Sequence, residues 1–245
     1  PIWEDTRVIG LFEDTVDIDL VVAALKSSVS ITPFPQIKTE VLEDKDWVRE
    51  WMDSFKPMCF GKRLWVVPSW LEAPHSDAVN MLLDPGLAFG TGTHQTTALC
   101  LRWLDEQDLQ DKVVIDYGCG SGILAIAAAL LGASRVYCVD NDPQALQATQ
   151  LNAERNNVTD KIHVFAPQNM PDIQADVLVA NILAGPLMEL APRLTSLITS
   201  KGLLALSGIL AKQADDVASH YQSDFSLLPA VQDEDWIRIS GKKRS

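Results

Sequence analysis

The sequence predicts an α/β protein, with a doubly wound, mostly parallel seven-stranded sheet preceded by part of a small α/β domain. Three observations predict it. From Lys112 onward, short apolar runs with strand character alternate with segments of helical period, the pattern of a parallel sheet covered on both faces. A glycine tract, "DYGCGSG", joins the first of these runs to a helix, as at the ligand-binding edge of such sheets. Ahead of both, between Val8 and Val41, strand, helix and strand follow one another once.

The elements follow in order. "RVIGLF", "TVDIDLVVAALKSS" and "QIKTEVL" read as strand, helix and strand, half of a small sandwich. In "DKDWVREWMDSFKP", Trp47, Trp51 and Phe55 recur every four residues on one helical face, Asp46 stands at the N-cap position and Pro57 ends the run. "RLWVVPSW" and "DAVNMLLDP" read as strands. "QTTALCLRWLDEQ" is an amphipathic helix. Then come "KVVIDYG", "GILAIAAALLG", "RVYCVD", "PQALQATQLNAERN", "KIHVFAP", "ADVLVANIL", "PLMELAPRLTSLIT", "GLLALSG" and "QADDVASHYQ", alternately strand and helix. The tail "FSLLPAVQDEDWIRISG" reads as two strands in a hairpin that closes one sheet edge. The implied organisation is residues 1–45 as a partial small domain, 46–75 as a linker helix and strand, and 76–245 as the catalytic domain.

Composition narrows the partners. The 245 residues are 47% hydrophobic, enough for one sizeable core and a smaller one. The start has neither a basic region nor an apolar core behind it, and no apolar run is long enough to span a bilayer; a soluble, cytoplasmic protein without a signal peptide is expected. Cys59, Cys100, Cys119 and Cys138 form no C-x-x-C pair and the histidines are scattered, so neither a metal site nor a disulfide framework is expected. A formal charge of −13 repels phosphate backbones and steers basic proteins. No direct nucleic-acid binding is expected.

The glycine tract carries the chemistry. Gly118, Gly120 and Gly122 are spaced G-x-G-x-G, whereas the dinucleotide fingerprint needs a third glycine one place later, where Ile123 stands. Asp116, two residues before the first glycine, would face a pyrophosphate badly but could hold the ammonium of an amino-acid-like ligand. Twenty residues beyond Gly120, Asp140 ends the strand "RVYCV", placed to accept both hydroxyls of a ribose. Asp142 suits the cap of the helix opening at Pro143 better. A ligand with a ribose, an amino-acid end and no phosphate is S-adenosylmethionine, and D-x-G-x-G-x-G with a strand-end Asp resembles the class I methyltransferases, Rossmann-like in fold. Asn181 ends the fourth strand, which leads toward the sulfonium. It opens N-I-L-A rather than the N-P-P-Y of base and amide methylases, so an aliphatic amine is the expected acceptor.

Taken together, "DPGLAFGTGTHQTTALCLRWL", "VIDYGCGSGILAIAA", "NDPQALQATQLNAERN", "VANILAGPLMELAP" and "LLALSGILAKQADDV" resemble the PrmA family. Its members methylate ribosomal protein eleven of the large subunit. The resemblance implies a ferredoxin-like substrate-recognition domain before the catalytic domain, of which residues 1–45 resemble only the second half. It implies that the glycine- and threonine-rich loop wraps the cofactor, with Thr97 beside the methionine portion and Phe89, Thr93 and His94 lining the entrance to the methyl group; Leu183, in the N-I-L-A turn, lines the same place. It further implies trimethylation of lysine side chains and of an N-terminal α-amine, carried out by a monomer.

A rival reading, a nucleic-acid methyltransferase, is opposed by charge and by the absent N-P-P-Y; an NAD-dependent oxidoreductase is opposed by the glycine spacing. The amine must be neutral to react. Deprotonating a lysine of pKa about 10.4 at pH 7 costs about 4.6 kcal/mol, and an α-amine near 7.7 to 8.0 roughly one. A nearby sulfonium lowers either pKa, so orientation by Asn181 with water as proton acceptor suffices without a strong base.

Overall fold

A computed structural model describes residues 8–13, 15–29, 32–40, 55–84 and 94–245. The chain forms two compact units, Pro1–Trp51 and Met52–Ser245.

In the first unit, helix α1 spans Ile18–Ser28. Asp17 caps it, Oδ1 accepting from the N–H of Asp19 at 3.0 Å, and Lys26 sits in the last turn, where a cation suits the helix dipole. No residue of α1 is buried. The strands expected at 7–12 and 36–42 do not form among the described residues, because nothing described there pairs with either segment and a strand exists only through its ladder. Residues 46–54 of the expected linker helix, with Trp47 and Trp51, lie outside the described residues.

The second unit holds two sheets. In the small one, β1 (Met58–Phe60), β2 (Leu64–Val67) and β3 (Val79–Leu82) lie in that order, β1 antiparallel and β3 parallel to β2. Strand β1 was not anticipated, and β1 and β2, read from sequence as linker, join β3 in one sheet. Their turn is held by buried Asp105, which accepts from the N–H of Lys62 at 2.6 Å and of Arg63 at 3.2 Å.

The large sheet has the order β10, β11, β8, β7, β4, β5, β6. Its strands are β4 (Val113–Tyr117), β5 (Arg135–Val139), β6 (Ile162–Phe165), β7 (Ala175–Asn181), β8 (Ile198–Leu210), β9 (Phe225–Leu227), β10 (Val231–Asp233) and β11 (Trp236–Lys243). β4 to β8 are parallel and β11 is antiparallel to β8. The tail therefore supplies three strands where two were expected. β9 and β10 flank opposite ends of β11, so eight strands fill seven positions.

Alternation along these strands sorts two cores. Val114, Val136, Cys138, Val177 and Ala205 face α2 (Gln95–Glu106) and α3 (Ile123–Leu130). Ile115, Val139, Leu178, Leu204 and Ile239 face the cluster that includes Leu187, Leu194 and Val217. Helix α4 (Pro143–Arg155) packs against β5 and β6. The single helix expected over 186–199 is two, α5 (Ala184–Glu189) and α6 (Ala191–Ser196), because Pro192 has no N–H for a continuous ladder. Helix α7 covers Ala214–Ser219. Among the described residues no helix is long and apolar enough to cross a membrane, and no three His, Cys, Asp or Glu side chains cluster to hold a metal. All four thiols are free, Cys59 exposed and the others buried.

Candidate active site

The chain leaves β4 for β5 and β6 on one side, then crosses to β7 on the other. The carboxyl ends of β4 and β7 therefore border the switch-point crevice where open α/β sheets bind ligands. At one wall is the glycine turn, at the other Asn181.

Asp116 shares the face of Val114, two residues before it, and so points toward the start of α3. That helix begins at Gly122 in the left-handed conformation, φ 79°, which offers no side-chain cap. The strand supplies one instead. Asp116 Oδ2 accepts from the N–H of Ala125, in the first turn, at 3.0 Å. Its Oδ1 is buried with no hydrogen-bond partner, and the residue is only 1% exposed. Burial pushes the Asp116 carboxyl up to about 7; the Ala125 bond opposes this and the nearby Asp140 adds to it.

The turn itself has spent its donors. Gly118 and Cys119 N–H both bond the Val139 carbonyl, at 2.7 and 3.1 Å, and Gly122 N–H bonds that of Cys119 at 2.8 Å. Gly120 N–H goes to Asp140 Oδ2 at 2.9 Å. A pyrophosphate cradle needs such groups pointing at the ligand. Here four of them are bonded within the fold, and the buried Asp116 Oδ1 is left without a partner. Both features fit a cationic amino-acid end and not a phosphate.

Asp140 is oriented by two backbone donors, Gly120 on Oδ2 and Asp142 N–H on Oδ1 at 3.0 Å. Each carboxylate oxygen carries two acceptor sites, so one on each remains for a hydroxyl pair. Asp142 caps α4 through Gln144 N–H at 2.9 Å, with Pro143 in the first turn.

On the opposite wall, Asn181 ends β7 opposite Ser207 of β8, and its Nδ2 donates to Thr97 Oγ1 at 3.2 Å. Thr97 is fully buried in the first turn of α2. His94 caps that helix: its Nδ1 accepts from Thr96 N–H at 3.3 Å and lies 2.8 Å from Thr96 Oγ1. Leu183 is 67% exposed just before α5. Phe89 and Thr93 lie outside the described residues.

Sequence reasoning passed over several residues that shape the site. The Trp236 ring meets the His94 ring edge-on at 5.1 Å, and the β10–β11 turn reaches α2 again through Glu234 to Gln95 at 2.7 Å and Asp233 to Arg102 at 2.9 Å. Gly208, φ 84°, leaves room for the carbonyl of Ile182, and Gly118 for the Ile182 side chain. Of these only Gly118 stands in a sequence motif; the tail contacts cross more than 130 positions and leave no local pattern.

Fold and crevice together define a class I S-adenosylmethionine-dependent methyltransferase. The family model described as "Ribosomal protein L11 methyltransferase (PrmA)" matches residues 1–244. Ribosomal protein L11 methyltransferase of Photobacterium profundum is 59% identical over 243 residues, 99% of this chain and 83% of that one. The protein of the same name from Pseudomonas fluorescens is 58% identical over 245 residues, 100% of this chain and 84% of that one. The crystal structure of ribosomal protein L11 methylase from Lactobacillus delbrueckii subsp. bulgaricus superposes with a TM-score of 0.71 at 31% identity, covering 78% of this chain and 100% of that one. The chain belongs to the ribosomal protein L11 methyltransferase (PrmA) family and is a protein methyltransferase that uses S-adenosylmethionine.

Proposed function

We propose that this enzyme transfers methyl groups to lysine side chains and the N-terminal α-amine of ribosomal protein L11, acting as a monomer in the cytoplasm without contacting nucleic acid. The observation that carries the reading is the bond between Asn181 and Thr97 at the crevice, on the wall facing Asp116 and Asp140. S-adenosylmethionine supplies an electrophilic methyl carbon on a sulfonium. Asp140 holds the ribose hydroxyls, Asp116 the ammonium, and Thr97 the methionine portion, with Gly118 and Gly120 allowing close approach.

Because Thr97 takes the Asn181 amide nitrogen, the amide oxygen is the end that accepts an N–H of the substrate amine. That contact turns the nitrogen lone pair toward the methyl carbon, and water takes the proton beforehand. His94 is engaged in capping α2, which supports a shaping role over that of a base. The N-I-L-A turn that carries Leu183 is aliphatic and small enough to leave room for methyls already added. The formal charge of −13 favours a basic protein as partner, and residues 1–45 supply part of a substrate-recognition domain.

Mass spectrometry of intact L11 after incubation with the enzyme and cofactor tests the proposal. Increments of whole methyl groups that map to lysines and the N-terminus support it; transfer to RNA alone refutes it.

A further inference from the structure

The turn between β10 and β11 departs from the usual chemistry of its kind. Asp233 pairs with Trp236, so Glu234 and Asp235 form a two-residue hairpin loop. Glu234 sits at φ 51°, a conformation such loops ordinarily give to glycine, asparagine or aspartate, because a longer side chain crowds the backbone there. Strain of this kind persists only where surrounding contacts fix it, and it clusters at functional positions. Here the glutamate side chain has a partner that none of the favoured residues could reach in the same way: Oε2 accepts from Nε2 of Gln95, the first residue of α2, at 2.7 Å.

The same hairpin grips α2 at further points. Asp233 Oδ2 pairs with Arg102 Nη1 at 2.9 Å, and Gln95 and Arg102 lie two turns apart on one face of the helix. The Trp236 ring packs edge-on against His94, and buried Arg238 donates from Nη1 to the Leu99 carbonyl at 3.1 Å. Thr97, two residues after Gln95, projects from the other side of the helix, where it meets Asn181. The hairpin also reaches the neighbour of Asn181 in the sheet. Ser207, opposite Asn181 in the β7–β8 register, donates its Oγ to the Ile237 carbonyl at 2.9 Å. Asn181 therefore lies between Thr97 and Ser207, and residues 233–238 brace the element that carries each.

We infer that the β10–β11 turn is a positioning element for Asn181, with Glu234 as the residue that sets the first turn of α2 and so the place of Thr97. The inference rests on the reading, made above, that Asn181 orients the substrate amine. The Asn181–Thr97 bond, at 3.2 Å, is at the long end for a hydrogen bond, so a small displacement of α2 breaks it. The Arg102 and Asp233 side chains are 49% and 31% exposed, and a pair so placed adds little to stability. Removing the Glu234 side chain in favour of a residue at ease with positive φ relieves the backbone. The loss of these contacts is therefore read in turnover and not in melting.

The test uses the full chain and the variants Glu234→Asn, Glu234→Gln and Asp233→Ala, with Asn181→Ala as reference. Asparagine tolerates the positive φ but is too short to reach Gln95, whereas glutamine keeps both the reach and an acceptor oxygen. Glu234→Asn is expected to lower kcat about fivefold and to leave KM for L11 within about twofold, as a small misplacement of a reacting group does. Its melting point, taken without cofactor, should be no lower than that of the wild type. Asp233→Ala should lower kcat about threefold, and Glu234→Gln should keep it within about twofold of wild type. In an Asn181→Ala background, Glu234→Asn should cost less than about twofold, because residues that act through one another are not additive. Wild-type kcat in Glu234→Asn, or the full fivefold loss in the Asn181→Ala background, would overturn the positioning role. If Asn181→Ala by itself turns over at the wild-type rate, the reading of Asn181 fails and the inference falls with it.

Discussion

The side-chain amide of Asn181 and the hydroxyl of Thr97 meet at 3.2 Å, tying the end of β7 to the first turn of α2 across 84 positions of sequence. Thr97 is fully buried, so it anchors the half-buried Asn181 rather than the reverse. Asn181→Ala is expected to lower kcat about 100-fold, as loss of a preorganised polar contact does, while S-adenosylmethionine Kd stays within about threefold. Thr97→Val, which keeps the shape and removes the acceptor, should lower kcat less. Steady-state rates at saturating cofactor and L11 decide; equal rates would make Asn181 a turn former only.

Asp140 is aimed by Gly120 and Asp142 before any ligand arrives. Asp140→Ala removes charge-assisted bonds worth roughly 1.5–3 kcal/mol to a hydroxyl pair, so cofactor Kd should rise about 10- to 100-fold. Calorimetry reads this directly, and an unchanged Kd would remove Asp140 from the site.

Burial holds the Asp116 carboxyl at about 7, above the roughly 3.9 of an exposed aspartate. The folded chain therefore binds this proton more tightly than the unfolded chain. Its contribution to stability is full below about pH 4 and is lost as pH rises toward 7, by at most about 1.4 kcal/mol per pH unit. In the site proposed above, cofactor binding runs the other way, because an ammonium favours the ionised carboxylate. Affinity should climb up to about tenfold per pH unit until pH 7 and then level. Binding isotherms across this window check it, and Asp116→Asn should flatten the profile and weaken binding at higher pH.

Gly208, at φ 84°, lies under the carbonyl of Ile182. An alanine there meets both a left-handed backbone and a backbone oxygen that has nowhere to go. Gly208→Ala should displace the Asn181–Leu183 turn, cutting kcat at least about tenfold, since a misplacement of about 1 Å costs that or more. The contacts proposed for the ribose and ammonium lie at the ends of β4 and β5, away from this turn, so Kd should change less than the rate. A loss of affinity as large as the loss of rate would place Gly208 under the cofactor instead.

The sheet, its parallel core and the glycine turn were legible because each is written locally. Alternating apolar runs mark β4 to β8, and D-x-G-x-G-x-G marks the turn. Among the described residues the N-terminal β-like runs form no strand, and such a run carries no information about whether a partner exists. Pro192, inside a run read as one helix, splits α5 from α6.

Residue types and spacings on their own determined the cofactor's chemistry: a misplaced third glycine and two aspartates reject a phosphate and accept a sugar and an amino-acid end. Only the tertiary structure decided which groups remain to make those contacts. It spent the turn's N–H groups on Val139, Cys119 and Asp140, left one Asp116 oxygen unpaired and set Asn181 against Thr97. Hydrogen-bond capacity is consumed by neighbours in space, and those neighbours are brought together by strand order, which no local run of sequence encodes.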